Sequence, residues 1–326
     1  MSDKLNDENV IIEEDWSGFM NFSPTGTAFS QHASVKIPLS STVEMDIACI
    51  EHLTPLDMMN LSNGTSDSTG NRVWMGAFAF IEFFASPLPS FHRDEESEVS
   101  KAAQQLQKLR YRLFHGANII ELGSGTGISG ISLMLAHRCD EHELSYIPSR
   151  VTFTDNDCHV LDLCKRNCDY NIGGSDDSKM YCITHLEWGN HKEFQKSFHT
   201  VIATDVIYNL EALEPLIQTA HDLLLPGGYF VLSHVPRASI SSKLPINVAL
   251  EHKILKVSSQ YNLEPIFQGN TSEYEHLCKS DYALRIDTLE NVIGNEKRSC
   301  MYDWRGMKSV GATVLIFKKD VLDVEL

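Results

Sequence analysis

The chain has 326 residues, 42% apolar and 22% charged, the balance of a soluble globular protein large enough for one substantial domain or two modest ones. Its formal charge of −17, from 27 basic and 44 acidic residues, repels nucleic acid phosphates and favours encounter with a basic protein or peptide; no basic stripe offsets it, so nucleic acid is not an expected partner. No apolar run approaches the about 18 residues of a membrane span, and the polar N-terminus lacks the regions of a signal peptide, so no membrane association is expected and a cytoplasmic location is the default, with a nuclear fraction left open.

Residues 1–34 are acidic and rich in Ser, Asn and Thr, a composition that predicts a flexible lead-in. Residues 35–326 read as a single domain with parts at 35–115, 116–235 and 236–326. Segments 35–38 and 43–50 alternate in the manner of strands and predict a hairpin. A polar loop follows over 60–72. Val73, Ala77, Phe80, Ile81 and Phe84 then recur at helical spacing, and Val99, Ala102, Ala103, Leu106, Leu109 and Leu113 predict a second helix over 94–113.

From residue 116 strands and helices alternate. Strands are predicted at 118–122, 150–154, 180–185, 199–204 and 228–233, with helices starting near Gly127, Asp157 and Leu210. This βαβα pattern argues for an α/β fold, a doubly wound and mostly parallel sheet with an N-terminal extension. Segments 263–267 and 312–318 supply a terminal antiparallel pair, and 269–310 between them is a long insertion of the kind that carries specificity.

Cysteines lie at 49, 139, 158, 164, 168, 182, 278 and 300 and are expected to be reduced. Cys164 and Cys168, four apart on a predicted helix near Cys158 and His159, invite a zinc reading. No Cys-x-x-Cys occurs and the spacing fits no common zinc module, so they are read as small buried apolar residues and no metal is expected.

The predicted strand 118–122 carries Glu121 and runs into glycines at 123, 125 and 127. Glycine tolerates positive φ and lets a ligand approach the backbone. Gly125-Thr-Gly-Ile-Ser-Gly130 also matches the dinucleotide pattern G-x-G-x-x-G, so a nicotinamide reading competes. Glu121 favours a ligand with a cationic amine over one with a diphosphate. Asp155, at the end of the next strand, stands where an acid holds ribose hydroxyls, or else caps the following helix, a role that fits Asp157 better. Trp188 and Trp74 are aromatics suited either to an adenine face or to the core. Asp205 and Tyr208 leave the fourth strand three residues apart, able to line one wall of a pocket or to serve as a cap and a packed ring.

Val-Trp-Met-Gly-Ala at 73–77, Glu-Leu-Gly-Ser-Gly-Thr-Gly at 121–127, Thr-Asp at 154–155, Leu-Glu-Trp-Gly at 186–189 and Asp-Val-Ile-Tyr at 205–208 occur in order. Together they resemble the Asp-x-x-Tyr group of seven-strand, Rossmann-like S-adenosylmethionine-dependent methyltransferases that act on protein lysines. The resemblance covers roughly 73–235. It implies S-adenosyl-L-methionine as cofactor, contacted by Trp74, Glu121, Gly123, Gly125, Gly127, Asp155 and Trp188. It also implies Asp205 and Tyr208 as the residues facing the acceptor, a lysine of a protein substrate. A small-molecule N-methyltransferase and a non-catalytic binding module are the alternatives. The longer segment 87–113 and the 269–310 insertion depart from the group's pattern.

Overall fold

The computed structural model of the chain describes residues 32–50, 68–88, 98–139, 146–173, 180–194, 197–236, 246–266, 283–285 and 311–321. Strands β1 (His32–Pro38) and β2 (Glu44–Ile50) pair antiparallel as the alternation predicts, with Val35 opposite Ile47. The first strand begins at His32, inside the segment read as a lead-in; the rest of that segment lies outside the described residues.

Helix α1 (Met75–Phe84) has no polar face: every residue from Gly76 to Phe84 is buried, so it runs through the interior. Helix α2 (Glu98–Phe114) packs beside it through Leu106, Leu109 and Leu113. Arg110 of α2 is buried, and its guanidinium donates to the carbonyls of Phe83 (2.7 Å), Ser86 (2.7 Å) and Glu82 (3.3 Å). Those carbonyls lie at the C-terminal end of α1, where a helix leaves acceptors unsatisfied and favours a positive charge.

The main sheet uses β3 (Asn118–Leu122), β4 (Arg150–Asp155), β5 (Tyr181–His185), β6 (Phe198–Thr204), β7 (Leu224–His234), β8 (Leu263–Pro265), β9 (Ala283–Arg285) and β10 (Thr313–Lys319). Helices α3 (Ile128–Leu135), α4 (Cys158–Ile172), α5 (Leu213–Leu223) and α6 (Ile246–Gln260) connect them. The spatial order is β5-β4-β3-β6-β7-β10-β8, a seven-strand path. Strands β3 to β7 are parallel to their neighbours, and β10 enters antiparallel between β7 and β8, as the terminal pair predicts. Strand β9 pairs with the start of β10, on the edge that β8 meets at its end. It is the one part of the 269–310 insertion inside the described residues.

Both faces of the sheet are covered. Ile119 and Ile120 of β3 point to opposite sides, the first into a cluster with α1 to α4 and the second into one with α5 and α6. Cys164 and Cys168 are fully buried in the first cluster, the packing role expected of them. Among the sheet strands the boundary moves furthest at β7, which begins at Leu224 rather than 228. Leu225-Pro-Gly-Gly reads as a turn, but here it is the irregular start of the strand, with a register shift against Phe198 and Thr200 of β6.

Removing Arg110 takes three hydrogen bonds from the buried carbonyls at the end of α1. Arg110→Leu is expected to lose about 3 kcal/mol of stability in urea denaturation, and Arg110→Lys to recover only part of it, because a point ammonium does not span three carbonyls.

Candidate functional site

The strand order reverses between β3 and β6, whose first connections lead to opposite sides of β3. Such a switch point opens a crevice beyond the carboxyl ends of the strands. A cavity of about 380 Å³ lies there, lined from β3, β4 and β6 by Gly123, Ser124, Gly125, Asp155, Asn156, Thr204 and Asp205.

The glycine turn forms its floor. Gly123, Gly125 and Gly127 have φ of 66°, 53° and 80°, the left-handed region that glycine enters without steric cost. A Cβ at Gly123 would stand 2.8 Å from Val206, and one at Gly125 would stand 2.9 Å from the carbonyl oxygen of Gly70. No side chain fits at either position. Asp155 holds the turn from the neighbouring strand: one carboxylate oxygen accepts from Gly125 N–H (3.1 Å) and the other from Asp157 N–H (3.2 Å). Burial pushes its pKa up, against the pull of those amides. Asp157 is the N-cap of α4, accepting from His159 N–H at 2.8 Å.

Trp74, Gly123, Gly125, Asp155 and Trp188 line the cavity together with Asp205 and Tyr208, so most residues singled out in the sequence converge. Glu121 and Gly127 are not among the lining residues. Glu121 is fully buried on the α3 side of β3, where its carboxylate accepts from Gly130 N–H at 3.0 Å and supports the turn from behind. Gly127 starts α3 facing the core, where a Cβ would stand 2.6 Å from Cys164 Sγ.

Asp205 is more constrained than a residue merely facing a pocket. It sits at φ 60°, outside the end of β6, and is buried. Its Oδ2 accepts from Gly76 N–H (2.8 Å) at the start of α1, and its Oδ1 accepts from Val235 N–H (3.1 Å) just past β7. Its own N–H donates to Ser233 O at 2.7 Å. The capping role weighed for it is therefore real, but the helix it caps lies far back in the chain. Tyr208 is 55% exposed and stands at the mouth.

Thr69, Gly70 and Arg72 complete the wall from a short 3₁₀ turn, Ser68–Asn71, within the segment read as a polar loop. Trp74 donates its indole N–H to Thr69 O at 2.9 Å, and the Arg72 guanidinium lies 5.1 Å from its ring centroid. Their signal was the Gly-Asn-Arg run just before Val73 and Trp74, a turn leading into a helix. The charged lining consists of Asp155, Glu187 and Asp205 against Arg72. That excess of acid suits a cationic ligand and opposes a diphosphate, which weighs against the dinucleotide reading.

The parallel order with one antiparallel strand, and the cavity over the glycine turn, define a Rossmann-like methyltransferase fold. The family model described as lysine methyltransferase matches residues 54–248, and the chain belongs to that family. S-adenosylmethionine is its methyl donor. The cavity fits that molecule in three respects: a glycine floor open to close approach, tryptophans on its walls, and a net acidic lining.

EEF1A lysine methyltransferase 3 of Xenopus tropicalis is 28% identical over 167 residues, which is 51% of this chain and 64% of the relative. Calmodulin-lysine N-methyltransferase of Arabidopsis thaliana is 29% identical over 116 residues, 34% of each chain. (+)-O-methylkolavelool synthase of Herpetosiphon aurantiacus is 24% identical over 159 residues, 48% of this chain and 45% of the relative. The chain thus spans less than two thirds of each of these relatives.

Burial pushes the Glu121 carboxyl up from 4.5 to about 8, helped by the Asp155 charge and opposed by the Gly130 amide and Ser129 hydroxyl. The folded protein therefore keeps a proton that the unfolded chain releases between pH 4.5 and about 8. Its contribution to stability is full below pH 4.5 and falls as pH rises through about 8, by up to about 1.4 kcal/mol per unit. Denaturation at a series of pH values should show this decline in the native protein and a flatter profile for Glu121→Gln.

Proposed function

We propose that this protein transfers a methyl group from S-adenosylmethionine to the side-chain amine of a lysine in a protein substrate. The observation that carries the reading is the acidic cavity at the switch point, floored by left-handed glycines and walled on one side by Asp205 and Tyr208. Membership of the lysine methyltransferase family supports it, as do two relatives named for lysine methylation.

The bound donor supplies an electrophilic sulfonium methyl; the protein's task is to place donor and acceptor in line. Gly123 and Gly125 let the donor lie close to the backbone. Asp155 and Asn156 would hold its ribose hydroxyls, and Trp188 with Leu186 would pack against its adenine. On the acceptor side, Asp205 lines the cavity wall while its carboxylate accepts from Gly76 and Val235. It accepts a hydrogen bond from the incoming amine and turns the nitrogen lone pair toward the methyl group. Tyr208, at the solvent edge, positions the same amine where its proton can leave to water.

The test is incubation of the protein with isotopically labelled donor and a cell lysate, followed by mass spectrometry. Label on protein lysines is the expected result. Label confined to small molecules, in line with the relative that makes an O-methylated product, overturns the protein-substrate reading.

Two variants divide the labour. Asp205→Ala should lose about hundredfold or more in turnover while still binding the donor, and about 2 kcal/mol of stability with the two amides it satisfies. Gly125→Arg should abolish donor binding in calorimetry. An Asp205→Ala protein that melts lower yet methylates at the normal rate would show that Asp205 is only a cap.

A further inference from the structure

The hairpin of β1 and β2 stands outside the main sheet, yet it is joined to α4 by a specific device. Asn171 Oδ1 accepts from Asp46 N–H (2.8 Å) and its Nδ2 donates to Asp46 O (2.8 Å). One helical turn earlier, Asn167 Oδ1 accepts from Ala48 N–H (2.9 Å) and its Nδ2 donates to Ala48 O (3.1 Å). Four residues of helix advance about 6.0 Å and two residues of strand about 6.8 Å, so two asparagine amides can stand in for a neighbouring strand along β2.

The two asparagines differ in their second N–H. That of Asn171 turns back to Asn167 O, within its own helix, at 2.8 Å. That of Asn167 crosses to Thr126 O at 2.9 Å. Thr126 lies between Gly125 and Gly127, lines the cavity, and has its carbonyl in the peptide that opens α3. The N–H of the same peptide, that of Gly127, donates to Ser124 O at 2.8 Å, so the Asn167 bond holds the opposite side of a peptide unit built into the turn. Asn167 is 2% exposed, and both its N–H groups are committed, one to the hairpin and one to the glycine turn.

We propose that Asn167 is a positioning residue for the methyl donor: by holding the Thr126 carbonyl it fixes the glycine turn in its binding geometry and ties that geometry to the docked hairpin. The inference rests on the assignment of the cavity to S-adenosylmethionine.

Asn171 provides the control, since Asn171→Ala cuts the same kind of hairpin bond without touching the turn. Binding of S-adenosylhomocysteine to the full chain is measured by calorimetry, alongside melting temperature and the kinetic constants for the donor. Both alanine variants should melt lower than the native protein. Only Asn167→Ala should also bind more weakly, by about fivefold or more, the scale of one lost hydrogen bond. The corresponding loss in turnover should fall on KM for the donor rather than on kcat. Equal affinities for the two variants, whether both native or both weakened, overturn the inference and leave the cavity assignment intact. Failure of the native protein itself to bind the ligand overturns that assignment, and the inference with it.

Discussion

Three neighbouring parallel strands, β4, β3 and β6, each carry a carboxylate at or near the carboxyl end, and each carboxylate accepts from backbone amides of another segment. A chain leaving a parallel sheet into a tight turn presents N–H groups that no ladder satisfies. Asp155 answers those of Gly125 and Asp157, Glu121 that of Gly130, and Asp205 those of Gly76 and Val235. The crevice keeps its shape through these bonds, because they fix the glycine turn, the start of α3, the start of α1 and the end of β7 against one another. Two of these acids, Asp155 and Asp205, also line the cavity, so they both face the ligand and anchor the backbone that shapes its site.

Much of the sheet was legible because its signals are local. Apolar runs such as Ile119-Ile120 and Val201-Ile202-Ala203 place β3 and β6 within a residue of their observed limits. The hairpin and the antiparallel terminal pair followed from alternation and from runs such as Thr313–Lys319. Errors of boundary came where a local signal was overruled by pairing: Pro226-Gly227-Gly228 reads as a break, yet the sheet draws it in as the bulged opening of β7.

The site was legible in identity more than in role. Sequence pattern could nominate Glu121 and Gly127 by their place in the glycine run, but alternation sends the Glu121 side chain toward α3 and the backbone turns Gly127 toward Cys164. Thr69, Gly70 and Arg72 reach the cavity only because a 3₁₀ turn folds against Gly125, a contact across more than fifty residues that no periodicity encodes. Asn167 and Asn171 carry no signal at all on an amphipathic helix. Their meaning lies in partners on β2, more than a hundred residues earlier.

The place of β10 has a consequence for how the molecule is made. Among the described strands Thr313–Lys319 is the last to leave the ribosome, yet it lies between β7 and β8. Until residue 319 has emerged, β7 presents an unpaired edge and β8 lacks the neighbour that holds it. The nascent chain must carry an open parallel half-sheet from the emergence of His234 to that of Lys319, a state prone to pairing with other chains. The hydrogen-bonded turns over β3, β4 and β6 need only the chain up to Val235, so the ligand crevice can assemble before the sheet is closed. A donor molecule that binds at that stage would hold the half-finished fold together and shorten the interval in which it can aggregate.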